Sequence, residues 1–270
     1  MSRTRISELF ERLREQGRPG LIAYLTAGDP SPEHTPALVA ALERGGADLI
    51  ELGVPFSDPI ADGPVIQRGS DRALRAGTTL NTVLGIAARI RERSTIPLLL
   101  FTYMNPVLRY GQAALAHAAA ACGIDGCLLT DLSVEEADPY VDVMRAEGLD
   151  TVFLAAPTST ERRRKLVAKY STGFVYLVSR TGVTGERESL SDSVAPLVHA
   201  MRAVTDLPLA VGFGISTAEQ ACAVGTIADA VVVGSAVVRT IEENATSPEL
   251  EDSLERLARK LASGLPSKKA

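Results

Sequence analysis

Residues 50–64, which read IELGVPFSDPIADGP, combine two different kinds of sequence. The first part is an apolar run typical of a buried strand, and the rest is a proline-rich loop with two aspartates, Asp58 and Asp62. Glu51 stands inside the apolar run, where an unpaired charge costs stability. A carboxyl group withdrawn from water has a raised pKa and suits a general acid or base near neutral pH. We therefore expect a buried strand that ends at a reaction site.

Apolar runs of this kind recur along the whole chain. They are Leu21–Thr26, Asp48–Leu52, Leu98–Tyr103, Gly126–Thr130, Thr151–Ala155, Phe174–Val178, Leu209–Phe213 and Ala230–Val233. Most are continuous rather than alternating, which is typical of parallel strands covered on both faces. Segments of helical periodicity lie between them, among them Thr35–Arg44, Leu80–Arg93, Gln112–Ala121, Glu135–Ala146 and Glu161–Tyr170. This order predicts an α/β protein, a closed (β/α)8 TIM barrel.

The length and the start of the chain fit this fold. The chain has 270 residues, 46% of them hydrophobic, and α/β barrels often run to about 250 residues as one domain. We expect an extra N-terminal helix within residues 1–17, ended by Gly17, because apolar residues recur there at helical spacing: Ile6, Leu9, Phe10 and Leu13. No stretch reads as a linker, so residues 1–270 are predicted to form a single domain.

Short local patterns mark the predicted turns and helix starts. The triplets Gly46-Ala47-Asp48, Gly123-Ile124-Asp125 and Gly148-Leu149-Asp150 each place glycine after a helix and aspartate before a strand. Ser133-Val134-Glu135-Glu136 and Ser216-Thr217-Ala218-Glu219 fit the capping-box pattern of a helix start.

Composition excludes several classes of function. The net charge of −5 and the lack of a dense Lys/Arg stripe argue against nucleic-acid binding. No apolar signal region or run of about 20 apolar residues is present, so we expect no membrane span. The three cysteines form no CxxC motif, which is typical of a reduced, cytoplasmic protein. The three histidines lie in separate segments and predict no metal site.

The active site of such a barrel lies at the carboxyl ends of its strands. Alternation along the second run puts Glu51 on one face with Leu49, the face we expect to line the barrel. The alternative is a structural glutamate that pairs with a neighbouring arginine or is hydrogen-bonded to a loop. Asp62 is expected to fold back over the barrel mouth, the alternative being an ordinary turn aspartate beside Gly63.

Glycines and aromatic residues cluster at other predicted strand ends. Val211-Gly212-Phe213-Gly214 and Val233-Gly234-Ser235 end the last two strands, where backbone N–H groups of barrels bind phosphate. Residues 181–193 form a long loop with Gly182 and Gly185, which suits a mobile lid or, alternatively, a mere connection. As a group, the aromatic residues near the strand ends indicate a flat apolar substrate, although each one taken singly is more typical of the core: Tyr24, Phe56, Tyr103, Phe153 and Phe213.

Together these motifs resemble the tryptophan synthase alpha subunit family over essentially the whole chain. The resemblance rests on Leu25–Pro30, Glu51–Pro64, Ser179–Gly185, Val211–Gly214 and Val233–Ser235. It implies a lyase that cleaves indole-3-glycerol phosphate to indole and glyceraldehyde 3-phosphate without metal or cofactor. It also implies a cytoplasmic α2β2 heterotetramer with a beta subunit, whose own pyridoxal phosphate joins indole to serine.

The resemblance also assigns roles to residues. Glu51 would be the general acid and base, and Asp62 would accept a hydrogen bond from the indole N–H. The predicted substrate-binding residues are Tyr24, Tyr103, Tyr176, Thr184 and Phe213, of which Thr184 would also lock the lid over Asp62. The predicted phosphate-binding residues are Gly185, Gly214, Gly234 and Ser235.

Two positions depart from the family pattern. Tyr24 stands where phenylalanine is usual, so its hydroxyl needs a partner, and Ser133 replaces a proline in the loop that resembles the beta-contacting loop. We expect Ser133 to cap the next helix, with the stiffness of that loop in question. The alternatives to a coupled lyase are a stand-alone indole-releasing lyase, a mainly regulatory partner of the beta subunit, and another sugar-phosphate barrel enzyme.

Overall fold

The strands form a parallel sheet surrounded by helices. The computed structural model describes residues 3–178, 190–212 and 214–267. The strands are β1 Gly20–Thr26, β2 Leu49–Gly53, β3 Leu98–Thr102, β4 Gly126–Leu129, β5 Asp150–Val152, β6 Leu154–Ala155, β7 Val175–Val178, β8 Leu209–Gly212 and β9 Ala230–Val233. With β5 and β6 taken together, they match the eight predicted runs to within one residue at each end.

The sheet closes into a barrel at a break in the fifth predicted strand. The strand order is β5-β4-β3-β2-β1-β9-β8-β7-β6, and neighbouring strands are parallel. The outermost strands of this order, β5 and β6, are consecutive in the chain and are separated only by Phe153. The Phe153 N–H donates to the Ser171 hydroxyl (3.3 Å). The predicted (β/α)8 TIM barrel is therefore confirmed, with its fifth strand in two pieces.

The helices mostly keep their predicted bounds. They are α1 Arg5–Gln16, α2 Thr35–Arg44, α3 Pro64–Arg75, α4 Leu80–Arg91, α5 Met104–Tyr110, α6 Gln112–Ala121, α7 Asp138–Ala146, α8 Glu161–Tyr170, α9 Leu190–Arg202, α10 Ala218–Gly225, α11 Ser235–Asn244 and α12 Leu250–Ser263. The predicted helix Glu135–Ala146 is divided into a 3-10 turn, Val134–Glu136, and α7, because Pro139 suits a first helical turn but not a helix interior. Within the described ranges, no helix is long and apolar enough to cross a membrane.

Side chains on the inner face of the barrel form a core of their own. The inward residues of the strands in this core include Ile22, Leu49, Leu99 and Leu128. The N-terminal helix α1 adds its buried apolar face to this core, namely Ile6, Leu9, Phe10 and Leu13. Gly17 ends α1 in the left-handed region at φ 64°. The predicted extra helix thus fills the amino end of the barrel and leaves the carboxyl end for other residues.

The aspartates of the glycine–aspartate triplets fasten this amino end. The Asp125 carboxylate accepts the Leu98 N–H of the neighbouring strand (2.8 Å). It also forms ion pairs with Arg91 (2.8 Å) and with Arg5 of α1 (2.7 Å). Asp48 accepts a backbone N–H of β1 in the same way. These aspartates therefore tie strands, loops and α1 together.

Replacing Asp125 by alanine should destabilise the fold strongly. The change leaves Arg91, whose side chain is 12% exposed, without its buried carboxylate. Breaking a buried ion pair from one side costs about 3–5 kcal/mol. We expect a loss of that order in the free energy of unfolding, measured by urea titration with circular dichroism. Glu161→Ala, which removes an exposed pair with Lys165, is the control. Equal effects of the two substitutions would contradict this role.

Candidate active site

Glu51 lies on the inner face of β2, beside Tyr24 of β1. Its neighbours Ile50 and Leu52 pack outward against the helices, and Leu49 packs inward, so the predicted orientation of Glu51 is confirmed. The residue is 1% exposed. Neither carboxyl oxygen has a hydrogen-bond partner among the described residues. Burial raises the pKa of Glu51 to about 8, so the group is mostly protonated at neutral pH and able to donate a proton.

Asp62 lies in the loop between β2 and α3, and hydrogen bonds fold this loop back over the barrel. The Tyr103 hydroxyl donates to the Asp62 carboxylate (2.8 Å) and accepts the Ala61 N–H (3.1 Å). The Gln67 side chain donates to the Asp62 carbonyl oxygen (2.9 Å). Withdrawal from water raises the pKa of Asp62 to about 6, against the opposing effect of the Tyr103 hydrogen bond. Asp62 is therefore largely ionised at neutral pH.

Tyr24 forms one wall of the site. Its ring packs edge-on against Phe101, with 5.2 Å between the ring centroids. Its hydroxyl, which needed a partner, lies 3.3 Å from Thr26 Oγ1. A β-carbon on Gly53 would lie 2.2 Å from this hydroxyl, so glycine at the end of β2 makes room for the tyrosine. Sequence reasoning overlooked Phe101 and the role of Gly53, although alternation along β3 places Phe101 on the same face as Tyr103.

Tyr176 forms a second wall from β7. A β-carbon on Gly212 would lie 2.2 Å from its hydroxyl, so Gly212 serves Tyr176 as Gly53 serves Tyr24. Removal from water, followed by the charges of Glu51 and Asp62, raises the pKa of Tyr176 well above its ordinary value. The same carboxylates act on the pKa of Tyr24. These four groups therefore lie within electrostatic reach of one another.

The other predicted aromatic residues divide between the site and the outer core. Phe56 packs against Tyr103 with 5.1 Å between ring centroids, beside Asp62. Phe153 was expected at the rim, but it packs outward between Tyr140 and Tyr170, at 6.3 Å from each. Alternation gives the reason, since Val152 and Leu154 on either side of Phe153 point into the barrel.

Two of the residues predicted to bind phosphate lie at the start of α11. Gly234 precedes this helix, Ser235 is its first residue, and no side chain of the described residues caps its first N–H groups. The start of α10 differs, because the Thr217 and Gln220 side chains cap it. The capping box is thus one residue later than predicted. Gly214 lies in the turn before α10 with φ 74°, where glycine is favoured.

Ser133 does not cap the turn that follows it. Its hydroxyl instead donates to the Glu135 carboxylate (2.5 Å), and Arg163 contacts both Ser133 (3.4 Å) and Glu135 (3.4 Å). The predicted side-chain cap is therefore absent. The loop that carries Ser133 is attached to α8 through Arg163.

Three predicted site residues, Thr184, Gly185 and Phe213, lie outside the described residues. The same is true of most of the predicted lid, 181–193, whose last residues, 190–193, belong to α9. Within the described part of the chain, no group of three or more His, Cys, Asp or Glu side chains could hold a metal ion.

Fold and site together define a class of protein. This is a (β/α)8-barrel enzyme with two carboxyl groups of raised pKa and an uncapped helix start at the carboxyl ends of its strands. Residues 10–265 match the family described as "Tryptophan synthase alpha chain". The chain belongs to this family of enzymes of tryptophan biosynthesis.

Individual relatives agree with this assignment. The tryptophan synthase alpha chain of Solibacter usitatus is 70% identical over 261 residues, which cover 97% of this chain and 98% of the relative. That of Thioalkalivibrio sulfidiphilus is 51% identical, covering 91% of this chain and 93% of its own. The crystal structure of tryptophan synthase subunit alpha from Legionella pneumophila superposes with a TM-score of 0.88 at 35% identity, covering 97% and 98%. A Mycobacterium tuberculosis tryptophan synthase structure gives 0.88 at 37% identity, with the same coverage of both chains.

The buried carboxyl group of Glu51 should cost stability in a pH-dependent way. Its pKa of about 8 exceeds the value of about 4.3 in an unfolded chain. The folded state therefore binds more protons between these values, and the free energy of unfolding falls as pH rises through the window. Glu51→Gln removes this dependence. The free energy of unfolding of the variant, relative to that of the wild type, should rise by a few kcal/mol from about pH 5 to about pH 8, because one pKa unit corresponds to about 1.4 kcal/mol.

Urea unfolding of both proteins across this range measures the effect. Parallel pH dependence in the wild type and in Glu51→Gln would mean that the carboxyl group is not desolvated.

Proposed function

We propose that Glu51 and Asp62 carry out the reaction of this family, the cleavage of indole-3-glycerol phosphate to indole and glyceraldehyde 3-phosphate. The observation that carries the proposal is the buried carboxyl group of Glu51, without a described partner, at the carboxyl end of the barrel. With a pKa of about 8 it holds a proton at neutral pH. A carbon–carbon lyase needs such a proton for the carbon that it releases.

The two carboxyl groups suit opposite roles. Protonated Glu51 donates its proton to the indole ring carbon that bears the side chain, which leaves positive charge on the ring. The Asp62 carboxylate accepts a hydrogen bond from the indole N–H and stabilises that charge. The bond to the side chain then breaks and its electron pair returns to the ring. The hydroxyl on the departing carbon becomes the aldehyde and gives its proton to Glu51, which is thereby restored.

The walls of the site match the two parts of the substrate. Tyr24, Tyr103 and Tyr176 surround the position of the indole ring, and Phe213 would add to them by resemblance. Ser235 and the backbone amides of Gly214 and Gly234 would bind the phosphate, supported by the uncapped start of α11. Gly185 would add a further amide, and Thr184 would hold the loop 181–193 over Asp62, both by resemblance.

The chain is proposed to work in the cytoplasm with a tryptophan synthase beta subunit, in an α2β2 complex. Two exposed apolar side chains, in the segments that follow β2 and β3, support a docking face at the carboxyl ends of these strands. Ile60, in the Asp62 loop, is 84% exposed, and Leu108 of α5 is 58% exposed. We infer that this chain contributes its own carboxyl groups alone, and that pyridoxal phosphate belongs to the beta subunit.

Glu51→Gln should abolish indole release while the fold is kept. Loss of general acid–base catalysis costs about 10²–10⁴-fold. The measurement is indole released from indole-3-glycerol phosphate by the purified chain, alone and with a beta subunit added. Wild-type release should rise when the beta subunit is present, and the variant should stay inactive in both conditions.

Each other outcome of this assay has a definite meaning. Turnover retained by Glu51→Gln would overturn the role of Glu51, and no indole from the wild type in either condition would overturn the function. Fast release that ignores the beta subunit would favour a stand-alone lyase. Activation of the beta subunit by an inactive wild-type chain would favour a regulatory partner.

The pH dependence of kcat/KM should be bell-shaped. Cleavage requires ionised Asp62 and protonated Glu51, whose pKa values are about 6 and about 8. The rate should therefore rise through the first value and fall through the second. Asp62→Asn should lower kcat/KM by about 10²-fold or more and remove the acid limb. An acid limb that persists in Asp62→Asn would assign it to another group.

A further inference from the structure

A network of charged side chains lies behind the site and takes no part in the proposed chemistry. Asp29, in the loop after β1, is fully buried and accepts two hydrogen bonds from Arg72 of α3 (2.8 Å each). Arg72 also donates to Glu242 of α11 (2.8 Å). Arg68, one turn before Arg72, binds both oxygens of Glu242 (2.7 and 2.8 Å).

Close packing surrounds this network. A β-carbon on Gly69 would lie 2.8 Å from Val238 of α11 and 3.2 Å from the Asp29 carboxylate, so glycine lets α3 approach both. Ile66 of α3 and Val238 form a small buried cluster with Tyr24 of the site. The charged network and the apolar cluster therefore connect the same three elements, which are the β1 loop, α3 and α11.

These helices begin at opposite ends of the proposed substrate. Asp62 stands two residues before α3, and Gly234 and Ser235 begin α11. We propose that Arg72 is a positioning residue that fixes the separation between the Asp62 end and the phosphate end of the site. It does so because its guanidinium bridges Asp29 and Glu242, and thus joins α3 to α11 and to the barrel.

This inference rests on the proposed function, since a separation matters only for a substrate that reaches both ends. Indole-3-glycerol phosphate has its ring at one end and its phosphate at the other. With the phosphate bound at α11, a displacement of α3 would move Asp62 away from the indole N–H. A misplacement of about 1 Å can cost about 10²-fold in rate. Two attachments hold Asp62: the Tyr103 hydroxyl, which contacts Asp62 and Ala61, and α3, which follows two residues later. The loop residues before Asp62 add little, because Ser57, Asp58, Ile60 and Ala61 are exposed.

The first test is Arg72→Lys, which keeps the charge but loses the planar fork that holds both partners. We expect kcat/KM for indole release to fall by about 10–100-fold. In an Asp62→Asn background the same substitution should have an effect several-fold smaller, because residues that act through one another are not additive. The acid limb of the pH profile, assigned to Asp62, should also move to lower pH as Asp62 gains contact with water.

The second test is Glu242→Gln, at a partly exposed position where the fold should survive. It weakens the attachment of α11, so KM should rise several-fold with little change in kcat. The affinity for glycerol 3-phosphate, measured by calorimetry, should fall by a similar factor, because this ligand occupies the phosphate end alone. Glu255→Gln is the matched control, since Glu255 joins α2 and α12 through Arg44 (2.8 Å) and also contacts Arg259.

The outcomes separate the inference from the function on which it rests. An inactive wild-type chain would overturn the function itself. With an active wild type, kinetics of Arg72→Lys and Glu242→Gln equal to those of Glu255→Gln would overturn the positioning role. A fully additive effect of Arg72→Lys and Asp62→Asn would also overturn it, because Arg72 would then act independently of Asp62.

Discussion

Closing a parallel sheet into a barrel creates an interior that only inward side chains can fill. At the amino end, α1 adds four apolar side chains to the inward residues of the strands, and that half is packed like any core. At the carboxyl end, the inward positions of neighbouring strands hold Tyr24 and Glu51, and those of β7 hold Tyr176. Gly53 and Gly212 accommodate the tyrosine hydroxyls. The site thus occupies the half of the barrel that aliphatic side chains leave unfilled.

The buried carboxyl groups of this chain differ in their surroundings, and the difference distinguishes those that stabilise the fold from the one proposed to react. Asp29 and Asp125 each form an ion pair with arginine that joins elements of the fold. Glu51 has no such partner among the described residues, and its pKa rises to about 8. Proton uptake by a carboxylate paired with arginine breaks an ion pair of the fold, whereas proton transfer at Glu51 disrupts no such pair in the described part of the chain. Burial without a counter-ion among the described residues therefore supports the acid–base role proposed for Glu51.

Much of this architecture could be predicted from sequence because parallel strands buried on both faces leave continuous apolar runs. Alternation within one run was enough to orient Glu51. Phe153 was misplaced because the aromatic residues were grouped by their position along the strands and not by the face they occupy. The capping boxes at Ser133 and Ser216 were also misread, since several neighbouring hydroxyl and carboxyl groups satisfy the same pattern.

Other features were beyond local pattern. The space that Gly53 provides depends on Tyr24 in the adjacent strand, and Tyr103 meets Asp62 across 41 positions of sequence. Arg72 meets Asp29 and Glu242 at separations of 43 and 170 residues. Contacts between residues so far apart leave no periodicity or motif in a single sequence. These contacts form only when the folded barrel brings the strand ends and the helices together.

The barrel architecture also explains why helices, and not strands alone, set the geometry of the site. Glu51, Tyr24 and Tyr176 lie on strands that are hydrogen-bonded to their neighbours, so strand register fixes their relative positions. Asp62 and the amides proposed to bind phosphate lie beyond the strand ends, where no strand pairing holds them. Apart from the hydrogen bond of Asp62 with Tyr103, their positions depend on how α3 and α11 are attached to the barrel. Arg72 joins both helices to the fully buried Asp29 through its ion pairs with Asp29 and Glu242. This charged network fixes the helices outside the sheet, just as strand register fixes side chains within it.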